Sequence, residues 1–145
     1  MNHLPVPAVL TVVATAFLAA SPAAIAAPDD FIGSYDVKYE EAMNNCSNVG
    51  MSLARGTLTL DRKKAKVEVN LDSLPTMMGP PPKAGRLRAS SKQGPTTIAG
   101  LDGQFSLAGR VEAGAVQFVL VAEYFANKKP LCQQSWNVSG VKRAR

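Results

Sequence analysis

The chain has 145 residues, 46% of them hydrophobic and 19% charged, with two cysteines and one histidine. That suits one small globular domain and excludes a disordered or collagen-like polymer. Sixteen Lys and Arg against eleven Asp and Glu give a formal charge of +5, which favours anionic partners. The one histidine is His3, in a stretch that reads as removable, so the mature chain offers no imidazole for a hydrolase triad or a histidine metal site.

Residues 8–20 form an apolar run with Val9, Leu10, Val12, Val13, Phe17 and Leu18, followed by Pro22 and the small-x-small sequence Ala24-Ile25-Ala26. This is the pattern of a secretory signal peptide, although its n-region lacks Lys and Arg. The run falls short of the ~20 residues that a spanning helix requires, and no cysteine follows the cleavage region to carry a lipid. The expectation is a signal peptide over residues 1–26 and a single β-rich domain over 27–145. After cleavage the product would be periplasmic or secreted and would not span a membrane.

From Gly33 onward the apolar residues recur with period 2, which argues for strands. Tyr35, Val37 and Tyr39 share a face opposite Asp36, Lys38 and Glu40. Gly33-Ser34-Tyr35 at this start resembles the Gly-x-Trp that opens lipocalin barrels, a three-residue match that names no family. Leu58 and Leu60 begin a hairpin that turns at residues 61–64 and returns through Val67, Val69 and Leu71. Residues 74–82, with Met77-Met78-Gly79 before Pro80, Pro81 and Pro82, read as a loop, because prolines lack ladder donors. Alternation resumes over residues 86–92, Gly94-Pro95 breaks it, and Leu101-Asp102-Gly103 reads as a turn before Phe105 and Leu107. Ala113-Gly114 is the expected turn into residues 116–125, apolar on both faces and so expected to be a central or doubly covered strand. In the last strand Cys132, Trp136 and Val138 share the inward parity.

The predicted fold is all-β: a small antiparallel meander of about seven or eight strands closed into a barrel, with a β-sandwich as the alternative. Cys46 and Cys132, an even count near opposite ends of the mature chain, are expected to form one structural disulfide joining the first strand region to the last.

Three features are candidates for function. Arg86, Arg88 and Lys92 share one parity and would form a cationic stripe along one sheet face. Met77 and Met78, with the stiff run Pro80, Pro81 and Pro82, form a candidate interaction loop. Tyr35, Tyr39, Phe105, Phe118, Tyr124 and Trp136 would either fill the core or line a ligand cavity. No catalytic residue, cofactor or metal site is assigned. The function expected is an exported, non-enzymatic binding module recognising a protein or anionic envelope component. The alternative is a lipocalin-like barrel that takes a small apolar or amphipathic ligand, and an enzyme of unknown chemistry stands behind both. Nucleic acid is disfavoured because no aromatic interleaves the stripe to stack bases.

Overall fold

The computed structural model describes residues 30–144, so the signal peptide expected over residues 1–26 lies outside them. The chain folds into nine strands: β1 (Gly33–Asn44), β2 (Arg55–Lys63), β3 (Lys66–Leu71), β4 (Met77–Gly79), β5 (Arg86–Ser90), β6 (Gly94–Pro95), β7 (Leu101–Glu112), β8 (Ala115–Ala126) and β9 (Lys129–Lys142). They form one antiparallel sheet in the order β5-β4-β3-β2-β1-β9-β8-β7-β6, and β5 also pairs with β7. Most neighbours are sequential hairpins. The two long-range pairings, β1 with β9 and β5 with β7, close the hydrogen bonds into a ring. The meander with first and last strands together is therefore as expected, in one sheet and not as a two-sheet sandwich. The short β4 and β6 account for the excess over the expected strand number.

Period-2 patterning decides which side chains enter the ring. Tyr35, Val37 and Tyr39 from β1, Leu58 and Leu60 from β2, and Val67, Val69 and Leu71 from β3 are all buried. Across the ring they meet Phe105 and Leu107 from β7, Phe118 and Leu120 from β8, and Trp136 and Val138 from β9. Burying so much apolar surface, at about 25 cal/mol per Å², is the main force holding the sheet closed.

Several boundaries differ from the sequence reading. Met77–Gly79 is a strand between β3 and β5, not a loop. The prolines begin only at Pro80, so all three residues keep their N–H donors, and Met77 turns inward. Gly79 is required there, since a Cβ would overlap the Arg88 carbonyl oxygen of β5. Gly94-Pro95 pairs with the start of β7, an edge position where proline is tolerated. Leu101–Gly103 already belongs to β7, and the β2–β3 turn shrinks to Lys64-Ala65. β8 is covered on one face only: its inner residues are buried, whereas Val119 is 44% exposed.

The two ends of the ring are built differently. At one end lie the tight turns Lys64-Ala65, Ala84-Gly85 and Ala113-Gly114; the last has φ of 50° and 76°, the left-handed pair that a two-residue hairpin needs. Phe31 is buried at that end, where its carbonyl accepts a 2.7 Å hydrogen bond from the Tyr35 hydroxyl. At the other end lie the long connections 45–54, 72–76 and 91–100. The Cys46–Cys132 disulfide forms there, with a Cα–Cα distance of 5.2 Å, and ties the loop after β1 to the start of β9. A disulfide of this kind points to an oxidising compartment.

Candidate functional site

The long-loop end holds an uncharged cleft of about 530 Å³. Its floor is Phe105 of β7 and Tyr124 of β8; its walls are Val49 and Met51 from loop 45–54, Leu74 and Pro75 from the β3–β4 connection, and Thr96 and Ile98 from the β6–β7 connection. Volume and composition both fall in the range of small-ligand sites, which are mostly apolar with a few polar groups. The Thr96 hydroxyl is occupied within its own turn, accepting from the Ile98 N–H at 3.1 Å and lying 2.8 Å from the Leu101 carbonyl. The hydroxyls of Ser73 and Thr97 on the rim make no hydrogen bond with the described residues, so they are available to a ligand.

Loop 45–54 would ordinarily be mobile, but three devices hold it against the cleft. The disulfide fixes Cys46. The Asn45 amide oxygen accepts from the Gln133 N–H at 2.7 Å. Further along, the fully buried Gln134 spans the gap between strand and loop. Its Oε1 accepts from the Met51 N–H at 2.8 Å and the Tyr124 hydroxyl at 3.1 Å, while its Nε2 donates to the Met51 carbonyl at 3.0 Å. A buried amide with these partners satisfied both rigidifies the wall and avoids a desolvation penalty. Gln134 sits at the inward parity between Cys132 and Trp136, so its burial was legible in the sequence; its partners were not.

All six aromatics singled out in the sequence are buried. Tyr35, Tyr39, Phe118 and Trp136 pack the interior, and only Phe105 and Tyr124 border the cleft. Burial raises the pKa of Tyr35 and Tyr124 above the usual tyrosine value. Tyr39 is raised further, first by burial and then by the Asp72 carboxylate, which its hydroxyl meets at 3.4 Å. Asp72 itself is oriented by the Thr57 N–H, at 3.1 Å from Oδ1. Among the described residues Trp136 Nε1 is a buried polar atom without a hydrogen-bond partner. The ring's burial, worth about 4–6 kcal/mol by area, outweighs the ~1–3 kcal/mol of the unmade bond.

On the outer face, Arg86 and Arg88 project to solvent from β5, while Lys92 is exposed two residues beyond the strand's end. Regular pairing stops there because Ser91 puts its hydroxyl into the ladder, where Oγ accepts from the Phe105 N–H at 2.9 Å. Met77 is fully buried, so the candidate loop shows the surface only Met78 and the prolines. Met78, Pro80 and Arg88 share a shallow outer groove with Ala108, Val119 and Val121. The loop and the stripe, read separately in the sequence, thus meet on one face.

Strand register also gathers cations that the sequence reading left apart. Arg86 pairs with Arg110 of β7 and, across its own turn, with Lys83. Directly paired residues share a face. Following the register onward, Arg110 lies opposite Gln117, Gln117 opposite Ser139, Ser139 opposite Lys38, and Lys38 opposite Arg55. Every member of this row is exposed. Among the described residues no group of three or more His, Cys, Asp or Glu is arranged to hold a metal ion. The chain matches no protein-family model, no curated protein and no solved structure.

Proposed function

We propose that the protein is an exported, non-enzymatic binding module that takes a small, uncharged amphipathic molecule in the cleft at the long-loop end of the ring. The observation that carries this reading is the combination of a cleft of about 530 Å³, free of charged side chains, with a wall immobilised by Cys46–Cys132 and Gln134. Preorganising a wall removes ordering entropy that binding would otherwise cost. Phe105 and Tyr124 supply a flat apolar floor, and the Ser73 and Thr97 hydroxyls supply polar contacts at the rim. Export is supported by the signal-like N-terminus together with the disulfide.

The test is a titration of the mature protein with the neutral amphipathic dye Nile red, alongside native mass spectrometry for ligand retained through purification. Thr97→Lys with Ile98→Lys places two charges on the rim at exposed positions outside the core, and should weaken dye binding roughly tenfold or more. Dye binding unchanged in that variant, or no dye binding and no retained ligand in the wild type, overturns the reading.

A further inference from the structure

We infer that the cationic row on the outer face is a second binding site, for an extended acidic polysaccharide. It is separate from the cleft and does not depend on it.

The row carries Lys83 in the turn before β5, Arg86 and Arg110 on the paired strands β5 and β7, then the neutral Gln117 and Ser139, then Lys38 and Arg55. At about 4.8 Å per strand it extends roughly 30 Å around the ring. Lys38, Arg55, Arg110, Gln117 and Ser139 line one continuous groove of about 890 Å³ that also takes in Asp36 and Glu112 along its acidic edge, and the small residues Ala115 and Gly140 keep it open. Like charges placed directly opposite each other destabilise a sheet. Lys83, Arg86 and Arg110 bear that cost with no ion pair to any described residue, whereas Lys63, Lys38 and Arg143 each have an acidic partner. A cost retained at three adjacent positions signals a ligand that neutralises them.

The pattern also selects the ligand class. The two cation pairs at strand spacing, Arg86 with Arg110 and Lys38 with Arg55, match anions on successive units of a chain whose repeat is about one sugar residue long. Gln117 and Ser139, whose side chains make no hydrogen bond with described residues, suit the hydroxyls of such a chain. No aromatic residue lies in the row to stack bases, which disfavours a nucleic acid. Because the row follows a curved wall, a flat bilayer could reach only part of it. The next row, Glu112, Ala115, Val141 and Asp36, brings acidic groups to one edge and confines a polyanion to a single track.

The experiment measures binding of fluorescein-labelled oligogalacturonate to the mature protein across a salt series, with neutral dextran, single-stranded DNA and phosphatidylglycerol vesicles as comparison arms. Arg86→Glu places a carboxylate opposite Arg110 and Lys83, so it should raise Tm while weakening oligogalacturonate binding at least about tenfold. Lys129→Glu, an equal change in net charge away from the row, should leave binding within about twofold. The proposal fails if the wild type does not bind oligogalacturonate above dextran. It fails equally if Lys129→Glu weakens binding as much as Arg86→Glu, or if DNA or vesicles bind more tightly than the sugar polymer.

Discussion

Replacing Gln134 by Leu removes the link between β9 and loop 45–54 and leaves the packing volume nearly unchanged, so its effect isolates the polar contribution. In the wild type the fully buried side chain satisfies the Met51 N–H, the Met51 carbonyl and the Tyr124 hydroxyl. Stranding a buried polar group costs about 1–3 kcal/mol each, but Met51 is only half-buried and water can reach it once the loop lifts. The Tyr124 hydroxyl, in a residue 2% exposed, has less recourse. Allowing for the apolar gain of leucine, the expected loss is about 2–4 kcal/mol. Urea denaturation should show the midpoint falling with little change in slope. Hydrogen exchange should show the Met51 amide losing protection while core amides of β8 track only the global change. A variant within about 0.5 kcal/mol of the wild type, with Met51 still protected, would refute the claim that Gln134 holds the wall.

Three further outcomes are expected. Cys46→Ser with Cys132→Ser opens a loop of sequence separation 86, so by the loop-entropy account stability should fall by about 4–5 kcal/mol, read as a lower urea midpoint that reductant no longer affects. All three tyrosines have raised pKa values, so the folded state holds their protons more tightly than the unfolded chain does. Their contribution is intact below the unfolded value of 10.0 and is lost as pH rises above it. The folded protein should therefore show little tyrosinate absorbance at pH 10.0, its stability should decline above that pH, and Tyr39→Phe should make the decline shallower. Gly79→Ala drives a methyl into the Arg88 carbonyl and should cost about 2–3 kcal/mol by thermal melt, whereas Gly100→Ala, with nothing near its Cβ, should cost only the strain of its positive φ.

The strands were legible where one face is apolar and the other polar, as in Tyr35, Val37 and Tyr39 against Asp36, Lys38 and Glu40. They were misread where another signal competed. Val119, Val121 and Phe125 made β8 look covered on both sides, yet these residues face outward, and valine and phenylalanine there follow strand propensity as much as burial. Prolines obscured β4, because three residues with intact donors are too few to register as a period next to Pro80, Pro81 and Pro82. At the end of β1 the alternation holds through Glu40 and Glu41, which pair with Asn137 and Trp136 in regular register, and a bulge breaks it only between Glu41 and Met43.

The candidate sites divide along the same physical line. Parity is a local property, so the sequence could place Arg86 and Arg88 on a common face and Cys132 and Trp136 on the other. Register is non-local: whether Arg110 lies opposite Arg86 depends on β5 closing onto β7, a pairing between strands separated by the β6 excursion. Lys38 and Arg55 reach the same row only through β1 pairing with both β2 and β9. A stripe read along one strand therefore became a row read across many, and closure of the ring determined which cations it contains. The same closure brings loop 45–54 over Tyr124, since Gln134 can reach Met51 only after β9 has paired with β1. Both candidate sites thus depend on the one long-range pairing beside which the Cys46–Cys132 bond is placed, so a bond far from the cationic row should still govern its integrity through the register of β1 on β9.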